Sequence, residues 1–324
     1  MSVYEKLWIG EATTHGIHPS CWKKPMKPIS SILLLLLAVL TGCETTDFDL
    51  KGNLTDGFCI VSGEQVVFNH HDIDYYDYST HLVYLKDNRT FDFESPTGGS
   101  FSIFADREEM YKVAIVPAYS SYMPSGPVVF THPKFYNDFI IAIGFVQIYD
   151  TLGNFKPDPR EDEKIVRALK KYGQFRMGLS MEIKSVSYQS ANNVKVELQL
   201  KNNDNTNYYF LDPVKMGDGL FHYFTNGLTI RDIKGLKYYT HHIKSVQPQP
   251  WNGWKSDWLS LIRGNETKTF TLTYTDFDAV PSGNYKATFQ FPGLAYQVNK
   301  EDLDQENGRI WLGSADAVKD VVIR

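Results

Sequence analysis

"PSGNYKATFQF", residues 281–291, places Tyr285, Ala287, Phe289 and Phe291 on one side of an extended chain and Lys286, Thr288 and Gln290 on the other. Such alternation is the period of a half-buried strand, because successive side chains leave opposite faces of the pleat. The strand is entered through Pro281, Ser282 and Gly283, a turn sequence. Tyr285 follows two residues after the turn glycine, where its hydroxyl can bond back to the turn backbone and fix the corner between two sheets.

The same period recurs outward from this strand. In "VKVELQLK" (194–201), Val194, Val196, Leu198 and Leu200 share a face opposite Lys195, Glu197, Gln199 and Lys201. "TKTFTLTY" (267–274) sets Phe270, Leu272 and Tyr274 against threonines. "YYFLD", "LTIRD", "LKYYTHHIKSV", "RIWLG" and "VKDVVIR" add short strands between turns. Residues 177–324 are therefore expected to form an immunoglobulin-like antiparallel β-sandwich. Two residues after the corner tyrosine, where an antibody domain has cysteine, stands Ala287, so no inter-sheet disulfide is expected.

The stretch "DWLSLIRGNETKTFTLTYTDFDAVPSGNYKATFQF" (257–291) resembles the immunoglobulin-like domain that precedes the catalytic domain in some deuterolysin-type and peptidyl-Lys metalloendopeptidases. The shared features are a Gly-Asn-Glu turn after an apolar strand, a threonine-rich strand, an aspartate-containing segment and Gly-x-Tyr. Their catalytic His-Glu-x-x-His occurs nowhere in the chain. The resemblance thus implies a fold and an accessory role rather than proteolysis.

Residues 51–176 read differently. "FCIVSGEQVVF", "HLVYLK", "TFDFES", "FSIFAD" and "EEMYKVAIVPAY" are strands, and "FIIAIGFVQI" (139–148) is apolar enough to be covered on both faces. One helix is clear: Asp158 as N-cap, Pro159 at the first position, and Ile165, Ala168, Leu169 and Tyr172 as one apolar face, stopped at Gly173. The expectation is a mostly β chain, with an N-terminal α+β domain preceding the sandwich.

Ahead of both lies "SILLLLLAVLTGCETTD" (31–47), whose unbroken apolar run, Ile32 to Leu40, is far shorter than the roughly 20 residues a spanning helix needs. With Lys23, Lys24 and Lys27 before it, the run reads as the core of a signal peptide covering 1–42. Residues 1–25 read as the product of an upstream start, since a leader of ordinary proportions begins at Met26. Leu40-Thr41-Gly42-Cys43 resembles the lipobox of bacterial lipoproteins. That resemblance implies a lipid-modified Cys43, membrane attachment through its acyl chains, and residues 43–50 as a short tether. Glu44, rather than Asp, after the cysteine leans towards the outer membrane in the enterobacterial sorting rule.

The formal charge of −5, with no basic run after Cys43, excludes binding driven by nucleic-acid phosphates. Three cysteines occur; Cys21 falls in the leader and Cys43 is the lipidation site, so Cys59 is left without an intramolecular partner and reads as a small core residue.

Four features could carry chemistry. "NHHDIDYYDYSTH" offers His70, His71, Asp74 and His81 as candidate metal ligands, although neighbouring histidines on a strand point apart. His241-His242 raises the same possibility and the same objection. "QPQPWNGWKSDW" gathers Trp251, Trp254 and Trp258 in a loop, where Trp251 and Trp254 can stack on sugar rings or anchor a protein contact, with Trp258 assigned to the core. Tyr119 and Tyr122, in "AYSSYMPSGP", are a second exposed-aromatic candidate, joined by Tyr136. No Gly-x-Ser-x-Gly, phosphate loop or Cys-x-x-Cys is present, and no cofactor is expected. The sequence therefore reads as an envelope lipoprotein, a non-catalytic binding module for a glycan or an envelope protein. The alternatives are a hydrolase or metal-dependent enzyme centred on 70–81, or an accessory subunit or inhibitor of a protease.

Overall fold

The computed structural model describes residues 54–92, 99–117, 120, 124–132, 134–147, 156–190, 192–232, 236–251, 253–294 and 298–324. The segments expected to be leader and tether, with Cys43, and Tyr119 and Tyr122 lie outside them.

The chain is mostly β. Its first part contains β1 (Phe58–Ser62), β2 (Gln65–Phe68), β3 (Ile73–Asp77), β4 (Leu82–Leu85), β5 (Ser100–Ala105), β6 (Glu108–Val116), β7 (Gly126–Phe130), β8 (Ile140–Ala142), β9 (Gly144–Val146), helix α1 (Glu163–Lys171) and β10 (Phe175–Arg176). One sheet runs β2-β1-β5-β6-β7-β9 and a second runs β10-β3-β4-β8. Helix α1 buries Ile165, Ala168 and Leu169, which completes the α+β domain. Ile165 and Leu169 each contribute about 1.5–3 kcal/mol of burial, and the Ala168 methyl less.

Three expectations change in detail. Asp158 caps only a 3-10 turn, Pro159–Glu161, and Asp162 caps the α-helix by accepting from Lys164 N at 2.8 Å. Tyr172 falls at the helix C-cap, outside the buried face, and stacks on His70 with ring centres 3.9 Å apart. The apolar run 139–148 is not one strand. β8 pairs with β4 and β9 with β7, so the chain changes sheet at Ile143, whose N–H donates to His81 O.

The second part contains β11 (Leu179–Ser190), β12 (Asn193–Asn202), β13 (Tyr208–Leu211), helices α2 (Pro213–Met216) and α3 (Asp218–Phe224), β14 (Leu228–Asp232), β15 (Tyr238–Thr240), β16 (Leu259–Ile262), β17 (Thr267–Tyr274), β18 (Gly283–Phe291), helix α4 (Lys300–Leu303), β19 (Asp304–Gln305), β20 (Gly308–Ile310) and β21 (Ala315–Ile323). Sheets β11-β12-β17 and β15-β14-β18-β21 follow the A-B-E and C′-C-F-G order of an immunoglobulin-like sandwich. The alternation holds: Val194, Val196, Leu198 and Leu200 are fully buried, and Phe270, Leu272, Tyr274, Tyr285, Ala287, Phe289 and Phe291 are buried opposite them. The corner forms as the sequence indicates, with Tyr285 Oη donating to Pro281 O at 2.9 Å.

A third sheet, β16-β13-β20-β19, is built from insertions into the sandwich. The insertion between β18 and β21 docks on the first domain. Lys300 Nζ donates to Leu85 O, lies 3.1 Å from Asp87 and covers the Phe139 ring. Arg309 reaches Asp74 at 3.2 Å and sits 4.5 Å from the centre of the Tyr75 ring. Tyr136 Oη donates to Leu312 O and Asn137 Nδ2 to Val298 O. One apolar core runs through both parts.

The chain crosses between domains at Met177 and Gly178, whose N–H groups both donate to the Asp204 carboxylate at 2.8 Å. Gly178 has φ +76°, and a Cβ there would stand 2.2 Å from Ser79 Oγ and 2.4 Å from Asp77 Oδ1. Only glycine fits this crossing.

Candidate functional site

The residues proposed as metal ligands in 70–81 are each committed to a different partner. His70 Nδ1 bonds Asp56 O at 3.0 Å and its ring stacks on Tyr172. His71 has its ring beside His70 and its N–H on Asn69 Oδ1. Asp74 is paired with Arg309. His81 is buried, and its Nδ1 shares a 2.8 Å hydrogen bond with Tyr76 Oη.

His81 does gather carboxylates from another segment: its ring, Asp158 and Glu161 have ligand atoms within 4.8 Å of one another. The cluster already contains a cation. Arg160 Nε lies 3.0 Å from both Asp158 oxygens, its NH2 adds a third bond, and its NH1 donates to Ile143 O. Burial, reinforced by the nearby guanidinium, pushes His81 down to about 3, so the ring is neutral at ordinary pH. Burial pushes Asp158 up, but its bonds and charge pairing with Arg160 outweigh this and hold it below the usual carboxylate range. A neutral imidazole with so low a pKa and a carboxylate locked by arginine make a poor acid–base pair near neutrality. The cluster pins the 156–162 segment against the sheets. Beside it lies an open groove of about 600 Å³ lined by Pro157, Asp158, Glu161, Asp162, Lys164 and Arg167.

The second histidine pair is also committed. His241 Nε2 bonds Asn226 O and its ring stacks on Tyr274, while His242 pairs with Asp278 at 2.9 Å. His222, buried beside His241, bonds Asp218 O and Tyr274 Oη. Cys59 is fully buried, and burial pushes its thiol up, which removes the thiolate a nucleophile needs.

The tryptophan loop is the aromatic feature that remains open. It follows β15 and returns through a 3-10 turn, Ser256–Trp258, to β16. Trp251 is 61% exposed. Trp254 and Trp258 are half-buried against the core, Trp258 meeting Phe224 edge-on. The loop is braced at three points. Val246 N donates to Gly219 O, Gly253 N to Pro250 O, and Asp212 N to Trp258 O. Val246, 57% exposed, lies on the same loop. Trp251 thus stands on a fixed support whose other indoles are its foundation. Tyr136, grouped with the exposed aromatics by sequence, is half-buried at the domain junction.

Sequence reading passed over helices α2 and α3, which support this loop. The signal was available: Asp212-Pro213 repeats the cap-and-proline pattern of Asp158-Pro159, and Asp212 Oδ1 accepts from Val214 N. The Asp158–Arg160–His81 cluster had no local signal, because His81 arrives from a distant strand connection.

No protein-family model matches the chain, and no curated protein matches it in sequence. Among solved structures, a selenomethionine-labelled β-glucosidase from Kluyveromyces marxianus is 9% identical with a TM-score of 0.22, covering 45% of this chain and 14% of that one. The same glucosidase in complex with glucose gives 9% identity, a TM-score of 0.20, and coverage of 45% and 14%. BslA, a bacterial hydrophobin, is 13% identical with a TM-score of 0.16, covering 45% of this chain and 95% of that one. Likenesses at this level define neither a family nor an activity.

Proposed function

We propose that this protein is an envelope lipoprotein anchored through Cys43 and acting as a non-catalytic binding module for a glycan or another envelope protein. The carrying observation is the Trp251 indole, 61% exposed on a loop whose remaining tryptophans pack against the core. A flat aromatic face held rigidly in solvent gives contact area with little ordering cost on binding. No helix among the described residues is long and apolar enough to cross a membrane, so the lipobox supplies the membrane attachment in this reading. Glu44 favours the outer membrane.

Two experiments test it. Intrinsic tryptophan fluorescence is titrated with uncharged envelope and host polysaccharides, with pull-down for insoluble ones and membrane cross-linking for protein partners. Trp251→Ala should abolish binding and leave the melting temperature unchanged. Retained binding, or a large loss of stability, overturns the assignment of Trp251. Separately, Cys43→Ser should move the protein from the membrane fraction to the soluble fraction. A variant that stays with the membrane removes the lipid anchor from the reading.

A further inference from the structure

The solvent side of sheet β15-β14-β18-β21 carries one row in register: Tyr238, Arg231, Lys286 and Asp320. Lys286 is answered by Asp320 at 2.8 Å. Arg231 stands directly opposite Lys286, a cross-strand pair of like charges. Among the described residues Arg231 has no carboxylate partner, and its Nε is buried without a hydrogen bond. A guanidinium beside a second cation is an unfavourable arrangement, and an external anion can meet it only through its terminal nitrogens, since Nε is out of reach of solvent. The neighbouring row is Thr240, Thr229 and Thr288, a line of hydroxyls across three strands. Tyr238, next to Arg231, is 53% exposed.

A second copy of this chain does not answer the charge. In a face-to-face twofold arrangement with its axis over β18, Arg231 would meet Asp320 of the other copy, a carboxylate that Lys286 already holds at 2.8 Å. We propose instead that this sheet face binds a polysaccharide containing uronic acids. Arg231 takes the carboxylate through its planar fork. Tyr238 offers a flat surface to the sugar ring, and the threonine row meets ring hydroxyls. The site lies on the sheet rather than on the tryptophan loop, so it does not depend on Trp251.

Calorimetric titration of the protein with polygalacturonate, its methyl ester and poly-L-glutamate tests this. Polygalacturonate should bind, the methyl ester should not, and poly-L-glutamate should bind at least about tenfold more weakly, because it lacks the ring face. Arg231→Gln should weaken polygalacturonate at least about tenfold, the loss of one charged hydrogen-bond pair. Tyr238→Ala should weaken it with the melting temperature unchanged, and Trp251→Ala should leave it unaltered. Failure of polygalacturonate to bind, equal binding of poly-L-glutamate, or full affinity in folded Arg231→Gln overturns the proposal. If Arg231→Gln does not fold, Tyr238→Ala decides alone, and unchanged affinity there overturns it.

Discussion

At the scale of single residues, two hydroxyl and carboxyl contacts show what local chemistry fixes. The Tyr285 hydroxyl donates to Pro281 O across the corner of the sandwich. Tyr285→Phe keeps the ring and removes the bond, so urea unfolding should show a loss of about 1 kcal/mol. An unchanged midpoint would mean that the ring alone makes the corner. Asp77 is buried and accepts from Ser79 N and Oγ at 3.0 and 2.6 Å. Burial pushes its carboxyl up to about 6. An acid whose folded pKa lies above its unfolded value destabilises the fold above the folded pKa, and that penalty disappears as pH falls towards the unfolded value. Asp77→Asn should therefore gain stability relative to the native chain at pH 7, by about 3 kcal/mol at most. The gain should shrink as pH falls from about 6 to about 4. A difference independent of pH between the two proteins would refute this reading of Asp77. The corner tyrosine was legible from its turn; Asp77 was not, because its burial comes from the domain crossing above it.

At the scale of elements, the helix start illustrates how a correct signal can be assigned to the wrong turn. Asp158, Pro159 and Glu161 looked like a complete cap, yet the chain makes one 3-10 turn first and then uses Asp162. Asp162→Ala should accordingly cost about 1 kcal/mol in chemical denaturation. No loss would show that the 3-10 turn supports α1 by itself. Strands with a clean two-residue period were legible, since alternation is written into β12, β17 and β18 directly. The run 139–148 was not, because a continuous apolar sequence has no period to betray the switch of sheets at Ile143. The third sheet was hidden for a related reason: its strands are short, and β13 pairs with β20 across a hundred residues of chain. Among the site candidates, the loop position of Trp251 was readable from its Pro, Gly and Asn neighbours. The inward packing of Trp258 was readable as well, and that of Trp254 was not, since it depends on the core that distant strands place beneath the loop.

At the scale of the whole molecule, the two domains share a core and are joined twice, by the chain at Met177–Gly178 and by the insertion between β18 and β21. Arg309 and Asp74 meet from 235 residues apart, a contact that no reading of neighbouring residues could supply. Scanning calorimetry should give one transition with equal calorimetric and van't Hoff enthalpies. Two resolved transitions would show that the domains unfold independently. Two parts fastened at separated points and packed on one apolar core have no free axis about which to swing. Labels placed at the start of β1 and on the Trp251 loop would then report one narrow distance, and the protein would behave as a fixed-length bracket, presenting its aromatic tip at a constant offset from the point where the chain enters its fold.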